Sequence, residues 1–517
     1  MKKHLCFLAA LFISLCGLSQ SYQHKQKVIA SDGQSEDFFG ESSDISFDGK
    51  YLIVGAMYND TSTAPNRGAA YIYNYDPALD GWRQQAKLTV ANLPRASWFG
   101  KSVCIDGTGT YAVAGAYNMK DNNLNAVGAV YVFKRSGNNW IQQAKLMDTA
   151  SQAGELFGTD VDISYDGKTV VVSAVAKDAG MGRVFIYNRT GTKWNLTNSF
   201  AANDGNSFDW FGNAISLSAN GKVLAAGAYQ KETIGNPPIP TGAVYIFNKG
   251  TGNTWTQTAK LYPADALYNM EFGYDVELSD DGKTLIAGLI YGGSDTSFLP
   301  GAYVFKNGTA GWAQQAKLIP AGTLRTCEIA MSVAISATGD TVVVGEPSET
   351  LNNVHQTGAK GTAFVFTRNG NVWSEKEKIF NPAGENNDNL SECLSITPDG
   401  KKIFAGAVQN GLFGFGRPGY LSYFHLDSSA SYKNVVANNN FIKVYPNPSS
   451  GFIMMTCDKK EIKGSVRIED RSGNVVLNIK HVQANQPVDI SMLKADIYYV
   501  RLIDESGKIY SASFIKE

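Results

Sequence analysis

Three large aromatic residues stand where they could hold a ligand. Phe38, Trp98 and Trp210 each lie directly before the first residue of a repeated segment. Aromatic rings of this kind stack on sugars and on side chains of a protein partner. They could instead seal the junction between neighbouring repeats, which is the interpretation that we favour. The three residues are therefore candidate ligand-binding positions with a packing alternative.

Motifs for catalysis and metal binding are not found in the sequence. His24, His355, His425 and His481 stand apart from one another, and there is no His-Glu-x-x-His, Gly-x-Ser-x-Gly or Gly-x-x-x-x-Gly-Lys-Ser/Thr motif. The glycine-rich segment 411–416 has no predicted helix after it, so it indicates no nucleotide site. We expect no catalytic residue, no metal site and no enzyme. A secreted glycan-active enzyme is the alternative, because carboxylates on separate loops can converge in space.

Charge and cysteine content exclude two further classes. The 46 Lys and Arg residues balance 47 Asp and Glu residues, so no basic surface for nucleic acid is expected. Cys104, Cys327, Cys393 and Cys457 form no Cys-x-x-Cys pair, which argues against a zinc site or a disulfide framework. A bridge between Cys327 and Cys393 is the alternative to buried free thiols, which we expect.

The N-terminus predicts export. Lys2 and Lys3 precede an apolar run from Leu5 to Leu18, and small polar residues follow at 19–21. This is the layout of a secretory signal peptide, here residues 1–20, and the run is too short to span a bilayer comfortably. No later segment has the length and polarity of a transmembrane helix, so we expect a fully translocated protein.

The elements that position the aromatic residues are seven copies of one segment. A turn glycine follows each start by ten residues, and a tryptophan precedes each start from the second onward by 17 residues. The starts lie 54 to 61 residues apart, and Ala330 and Ser391 replace the glycine that follows the first five of them. The seven starts are Phe39, Phe99, Phe157, Phe211, Phe272, Ile329 and Leu390.

Each copy predicts four β-strands. Asp48-Gly49 is a two-residue turn between the first two strands, because Asp-Gly tolerates the positive φ that such hairpins need. The second and third strands are nearly continuously apolar, which is typical of strands covered on both faces. The fourth alternates from Trp82 to Leu88 and suits an outer edge. Seven four-stranded sheets repeated around an axis predict a seven-bladed β-propeller.

The ends of the repeat array predict how the ring closes. The seventh copy ends after a third strand at Tyr420 to His425 and has no tryptophan-containing fourth strand. Residues 22–28 match 82–88 in register, so the N-terminal segment should supply the missing strand. The propeller is therefore expected to span residues 21–426.

The Phe-Gly starts, the Gly-Ala after strand two and third strands such as Gly-Ala-Val-Tyr-Ile-Phe resemble the FG-GAP repeats of integrin α chains and related bacterial surface proteins. This resemblance implies ligand binding or adhesion. It also implies calcium loops in several repeats, but Asp44 with Asp48, Asp162 with Asp166, and Glu277 with Asp281 keep only part of that pattern. We expect bare hairpin turns and no cofactor, with calcium as the alternative.

The C-terminal part predicts a second domain, residues 441–517, after a polar linker at 427–440. Val444-Tyr445-Pro446-Asn447-Pro448, the alternating strands that follow and the closing Ile515-Lys516-Glu517 resemble the type A sorting domain of the type IX secretion system. Asp496 stands where that family usually has glycine. The resemblance implies a small β-sandwich, contact with the secretion machinery, and release or attachment at the surface of a Gram-negative bacterium.

The ligand should bind at one end of the predicted blades. Loops between second and third strands vary from short, at Ala174 to Met181, to long, at Glu346 to Lys360. They share an end with Phe38, Trp98 and Trp210. Variable loops on a fixed scaffold usually carry recognition. We therefore expect a secreted or cell-surface binding or adhesion protein whose ligand is a protein or a glycan.

Overall fold

A computed structural model divides the chain into two compact units, Met1–Ser429 and Ala430–Glu517. The structure describes residues 20–517 except 61–65, 122, 124, 235–238, 268, 291–297, 322–328, 348–359, 386, 409–417, 428–442, 446–448, 450, 457–462, 470–474, 484–485, 505–508 and 517.

The first unit contains repeated four-stranded antiparallel sheets, numbered here 1 to 7 with the strands of each given from the first to the fourth. Sheets 1 to 4 are β2 (Phe39–Ile45), β3 (Tyr51–Ala56), β4 (Ala69–Asp76), β5 (Gly81–Leu88); β6 (Val103–Ile105), β7 (Tyr111–Ala116), β8 (Ala129–Ser136), β9 (Asn139–Leu146); β10 (Phe157–Ile163), β11 (Thr169–Ala174), β12 (Arg183–Thr190), β13 (Lys193–Phe200); and β14 (Ile215–Leu217), β15 (Val223–Ala228), β18 (Ala243–Lys249), β19 (Trp255–Leu261).

Sheets 5 to 7 follow the same plan. They are β20 (Val276–Leu278), β21 (Thr284–Ala287), β22 (Ala302–Gly308), β23 (Gly311–Leu318); β24 (Val333–Ile335), β25 (Thr341–Glu346), β26 (Thr362–Asn369), β27 (Val372–Ile379); and β28 (Leu394–Ile396), β29 (Lys402–Ala407), β30 (Tyr420–Asp427), β1 (Ser21–Val28). The elements outside these sheets are the hairpin β16 (Glu232–Ile234) and β17 (Ile239–Pro240), the single turn Lys177–Gly180 and the 3₁₀ turn Thr251–Asn253.

Burial explains why the sequence folds into these strands. Every residue of the second strands β7 and β11 is buried, in keeping with their continuous apolar sequences. Strand β9 has exposed and half-buried residues and only one buried residue, Leu146, as expected of a fourth strand at the outer edge of a sheet. The prediction of an all-β fold built from repeated four-stranded sheets is confirmed, and the sheets fit a β-propeller.

The first strand of the chain completes the last sheet. Strand β1 pairs antiparallel with β30, from Ser21 opposite Asp427 to Val28 opposite Leu421, with an irregularity between His24 and Gln26. The pairing joins residues about 400 positions apart in the sequence, as a ring closed by its two ends requires.

Neighbouring sheets meet at a glycine that precedes the third strand in most of the sheets. Gly68 forms a parallel bridge to Phe99, and a Cβ added at Gly68 would lie 2.0 Å from the Phe99 carbonyl oxygen. Only glycine allows this approach, which explains why the residue recurs. Sheet 7 meets sheet 1 in the same way, through Gly419 and Phe39.

The hydrophobic core lies between adjacent sheets. One cluster joins Ile53 and Ile72 of sheet 1 to Phe99 and Tyr131 of sheet 2. Tryptophans of the fourth strands pack on its outer margin, and several donate an indole hydrogen bond to a glutamine of the preceding fourth strand. These pairs are Trp140 to Gln85 at 3.0 Å, Trp194 to Gln143 at 3.1 Å and Trp373 to Gln315 at 2.9 Å.

The second unit contains two sheets with a common hydrophobic cluster. The cluster draws Ile453 and Val488 from one sheet and Val466, Ile468 and Val500 from the other. The sheets are β31 (Lys443–Tyr445), β32 (Phe452–Thr456), β35 (Pro487–Asp489); and β34 (Val475–Gln483), β33 (Lys463–Glu469), β36 (Asp496–Asp504), β37 (Ile509–Lys516).

Candidate functional site

Each sheet of the first unit has two ends, which we name by their connections. The turn side is where the Asp-Gly hairpin joins the first and second strands. The crossing side is where the second and third strands are joined and where the chain passes to the next sheet. Phe38, Trp98 and Trp210 lie on the crossing side, immediately before a repeat start.

These three residues share a left-handed backbone conformation. Their φ angles are 55° at Phe38, 57° at Trp98 and 57° at Trp210. Such a conformation is costly for a residue with a side chain and often marks a functional site. Here Leu156 and Glu271 adopt it at the same position, with φ of 60° and 53°. The backbone conformation therefore belongs to the repeat, and only the aromatic side chains distinguish the three positions.

Phe38 and Trp98 belong to one continuous set of rings, which we call the aromatic row. The Phe38 ring lies 4.8 Å from that of Tyr58, Tyr58 lies 5.9 Å from Trp98, and Trp98 lies 5.1 Å from Tyr117. The four side chains are half-buried, so each keeps an accessible part. The row crosses from sheet 1 to sheet 2 and offers an extended surface for stacking.

Trp210 belongs to a separate group. Its ring lies 6.4 Å from Tyr229, which in turn lies 5.5 Å from Tyr274 of sheet 5. Tyr274 lines the cavity described below. The structure thus brings Phe38 and Trp98 together and places Trp210 elsewhere on the crossing side.

Buried polar contacts fix the crossing segments to the loops beside them. Asp209 and Lys231 form an ion pair at 2.8 Å with only 5% and 3% of their side chains exposed. Lys177 pairs with Glu155 at 2.8 Å, and Asn59 donates to Asp37 at 2.8 Å. Each acid lies two residues before a repeat start. These contacts hold the aromatic residues on a rigid support, which favours binding by reducing the ordering cost.

The first strands of all seven sheets line a central cavity. Its crossing-side part contains Glu41, Asp160, Asp275 and Glu392 and a single basic residue, Lys101, which forms an ion pair with Glu41. Burial by itself would lower the pKa of Lys101, but the Glu41 carboxylate raises that pKa above its ordinary value. The cavity is therefore polar and mainly acidic.

The cavity carboxylates also join neighbouring sheets. Five of them accept a hydrogen bond from a backbone N–H on the free inner edge of the next sheet, which would otherwise be unpaired. The bonds run from Ile105 to Asp44 at 2.8 Å, Ile215 to Asp160 at 2.8 Å, Leu217 to Asp162 at 2.6 Å, Val333 to Asp275 at 2.8 Å and Ile335 to Glu277 at 2.6 Å.

Enclosure raises the pKa of these carboxyls. Burial raises the pKa of Asp44 to about 6 and that of Asp275 to about 7, although the backbone N–H groups that they accept from act in the opposite direction. Burial likewise raises the pKa of Asp162 and of Glu277 well above their ordinary values. The carboxyls therefore hold protons in a range where exposed carboxylates are ionised.

Family comparisons agree with this architecture. An FG-GAP repeat model matches residues 22–73, 82–133, 140–187, 194–247 and 255–305, and a model of the secretion system C-terminal sorting domain matches residues 443–517. The chain is an FG-GAP repeat protein with a type IX sorting domain. A search of curated proteins gives no match. The sorting domain implies export and a secreted or outer-surface location.

The matched FG-GAP units are offset from the sheets. Each begins in the fourth strand of one sheet and ends in the third strand of the next, and the first begins at Tyr22 in β1. The matches end in sheet 5, before the starts at which Ala330 and Ser391 replace glycine. In the described part of the chain no helix is long and apolar enough to cross a membrane.

The acids that resemble FG-GAP calcium ligands have two separate roles. Asp44 faces the cavity and bonds to the next sheet, whereas Asp48 accepts from the Ser46 hydroxyl at 2.7 Å and from the Lys50 N–H at 3.1 Å within its turn. Across the described ranges no group of three or more His, Cys, Asp or Glu residues is placed to hold a metal ion. Independence from calcium stays a prediction.

Cys104 and Cys393 are buried free thiols. The Cys393 thiol donates to the Gly40 carbonyl at 3.0 Å, across the junction of sheets 7 and 1. Cys327 and Cys457 lie outside the described residues, as do the signal segment, the linker at 428–440, the segment 411–416 and most of the long loop after Glu346.

Sequence reasoning missed three groups of site residues. Tyr58 and Tyr117 lie in loops directly after second strands, and their place on the crossing side was a signal that could have paired them with Phe38 and Trp98. Lys231, twenty residues after its repeat start, could have been matched to the acid at Asp209. The cavity carboxylates had no comparable local signal, because their partners are in the next sheet.

Proposed function

We propose that this FG-GAP protein is an exported binding protein whose first unit, residues 21–426, is a closed seven-bladed β-propeller that holds its ligand on the crossing side. Residues 1–20 act as a signal peptide. Residues 441–517 form a small β-sandwich that the type IX machinery recognises, since two sheets contribute to one core. The linker at 427–440 separates the two domains.

A sequence of backbone hydrogen bonds on the turn side supports the closed ring. Sheets 2 to 6 each donate to the next, from Gly107 to Tyr165, Tyr165 to Ala219, Ala219 to Asp280, Asp280 to Ala337 and Ala337 to Pro398, at 2.9 to 3.1 Å. Pro398 has no N–H and cannot continue the series into sheet 1. There the N-terminal strand contributes instead: Gln26 accepts from the Trp82 N–H at 2.6 Å and donates to its carbonyl at 2.9 Å.

The aromatic row is the observation that carries the binding proposal. Phe38, Tyr58, Trp98 and Tyr117 keep accessible ring surface although apolar residues around them are buried. They lie on the side where loops vary in length. A rigid aromatic surface beside a polar cavity suits a glycan, whose rings stack and whose hydroxyls need acceptors, or a protein side chain.

A glycan-active enzyme is the second candidate, favoured by the protonated carboxyls in the cavity. Against it, both oxygens of Asp44 and of Asp275 accept backbone hydrogen bonds. A glycosidase needs a carboxyl group aimed at the scissile bond. We therefore propose binding without turnover.

Binding of the full chain to glycan and matrix-protein arrays tests the proposal. We expect Trp98→Ala to weaken binding of the tightest array ligand at least tenfold. We expect a calcium chelator to leave binding by the unaltered protein unchanged. Leu79→Ala, which removes an exposed apolar side chain from a third-to-fourth-strand hairpin, is the matched control. Undiminished binding by Trp98→Ala, with only a lower melting temperature, would favour the packing role. Hydrolysis of a bound glycan would favour the enzyme.

A further inference from the structure

The turn-side mouth of the cavity has an unusual set of residues. The seven equivalent rim positions are mostly small, which keeps the mouth open. Two are aromatic and one is acidic. The seven are Phe47, Gly107, Tyr165, Ala219, Asp280, Ala337 and Pro398.

The two aromatic rings form an exposed pair on one side of the mouth. Phe47 and Tyr165 lie 5.0 Å apart, edge to face at 83°, with 43% and 40% of each residue exposed. They belong to sheets 1 and 3 and meet above Gly107 of sheet 2. A Cβ at Gly107 would lie 2.2 Å from the Tyr165 ring, so the pair depends on that glycine.

Asp280 supplies the polar part of the mouth. Asp280 lines the cavity and forms no ion pair with another described residue. The adjacent Asp281 is used differently, because it accepts from Ser279 at 2.8 Å and from the Lys283 N–H at 2.9 Å. Asp280 lies two sheets beyond Tyr165, on the other side of the opening from the aromatic pair if the ring closes as proposed above.

The cavity behind this mouth has acidic but no basic side chains among its described lining residues. The turn-side part of the cavity also contains Asp44, Asp162 and Glu277, and none of the described residues that line it is Lys, Arg or His. An anionic group would be repelled here, and a neutral one would leave the Asp280 carboxylate without a cation. A cation gains from the carboxylates and from the electron-rich faces of the rings.

We propose that the turn-side mouth binds a lysine or arginine side chain of a partner protein. The apolar stem of such a side chain packs on the exposed surface of the Phe47 and Tyr165 rings, and its charged end points across the mouth toward Asp280. A protein is favoured over a free amine because the exposed ring edges extend the contact beyond the charged group. The site is on the opposite side from the aromatic row, so it is a second function that shares only ring closure with the first.

Ligand-observed NMR on the full chain tests the proposal, with acetyl-Gly-Lys-Gly-amide as probe and its norleucine counterpart as the neutral analogue. We expect saturation transfer to the lysine probe, a marked decrease of binding at high salt, and no transfer to the norleucine peptide. Asp280→Asn should weaken the lysine probe at least tenfold, and Tyr165→Ala should weaken it several-fold. Glu36→Gln, an exposed acid near the crossing-side Phe38, is the matched control and should change nothing.

Four results would overturn the proposal. These are equal binding of the norleucine peptide, full binding by Asp280→Asn, loss of binding in Trp98→Ala instead, and binding of spermidine or calcium without binding of the lysine peptide. Gly107→Ala distinguishes loss of this site from a folding defect, because it displaces the Tyr165 ring without removing it. That variant should keep crossing-side binding and lose the lysine probe, which separates this proposal from the proposed function.

Discussion

Each side of the propeller has a Lys–Asp ion pair, which is buried on the crossing side and exposed on the turn side. On the crossing side, Lys231 and Asp209 are 2.8 Å apart with 3% and 5% of their side chains exposed. On the turn side, Lys283 and Asp281 are 3.8 Å apart with 65% and 55% exposed. The first pair is enclosed by protein and the second is surrounded by water.

The difference reflects how each connection is held. Turn-side hairpins are closed by short-range bonds, such as that from the Ser279 hydroxyl to Asp281, and need no help from lysine. Crossing segments turn through left-handed residues, and in sheet 4 a buried ion pair ties the segment to the adjacent loop. The comparison shows that the same pair of residue types affects the stability of the fold differently when it is buried and when it is exposed.

Breaking the buried pair should give the largest effect. Lys231→Ala leaves the Asp209 carboxylate buried without its cation, so we expect the free energy of unfolding to fall by about 3–5 kcal/mol. Urea unfolding followed by tryptophan fluorescence measures this loss. The double variant Lys231→Met with Asp209→Leu should recover much of it. A double variant as unstable as Lys231→Ala would show that the pair itself is needed.

The buried carboxyl groups of the cavity should make the stability of the protein depend on pH. Because burial places the folded-state pKa of Asp44 at about 6 and of Asp275 at about 7, above the unfolded values, protons bind the folded state more tightly. This stabilisation is complete below about pH 4 and is lost as the pH rises through 6 to 7. We expect the free energy of unfolding to be about 2 kcal/mol lower at pH 8 than at pH 5. This figure allows for solvent in the cavity, which weakens the effect of burial.

Asp275→Asn is the control for that pH dependence, since its side chain no longer titrates. Its stability should change less between pH 5 and pH 8 than that of the unaltered protein. Carboxylates whose pKa is lowered, such as Asp204, where burial is outweighed by the hydrogen bonds from Lys260 and Tyr245, have the opposite effect below about pH 4. A stability that rises steadily from pH 5 to pH 8 would contradict the role given to the cavity.

The turn hydroxyl should have an intermediate effect. Ser279 is fully buried, donates to Asp281 and accepts the Thr284 N–H at 3.0 Å. Ser279→Ala leaves that buried N–H unpaired, so we expect a loss of about 1.5 kcal/mol in urea unfolding. Ser207→Ala, at an exposed position on the crossing side, should cause no measurable loss.

The smallest effect should come from the exposed pair. Lys283→Ala removes a cation that is mostly solvated, so the free energy of unfolding should change by less than about 0.5 kcal/mol. The same urea measurement applies, at low and at high salt. A loss comparable with that of Lys231→Ala would remove the distinction between the two sides.

The sequence could predict the strands because their signals are local and repeated. Register alone placed Asp48-Gly49 at a turn and aligned Tyr22 with Trp82. It also put Phe38 and Trp98 at equivalent positions. It could not show that their rings meet through Tyr58, because that contact depends on the path of a variable loop.

Contacts between sheets were beyond sequence reasoning. Asp44 and Asp48 read as parts of one loop pattern, yet Asp44 bonds to Ile105 of the next sheet while Asp48 stays within its turn. Gly107 gave no sign that a ring from sheet 3 lies against it. Such contacts join residues about 60 positions apart, and no short-range pattern specifies them.

Ring closure by the N-terminal strand is tested most directly by hydrogen exchange. Strand β1, Ser21–Val28, should keep its amide hydrogens as long as β5, Gly81–Leu88, the equivalent outer strand of sheet 1. Mass spectrometry of peptides from both strands, taken at matched times, gives the comparison. Equal protection is the result that the closed seven-bladed ring predicts. Complete exchange of residues 21–28 within seconds, while β5 stays protected, would contradict it.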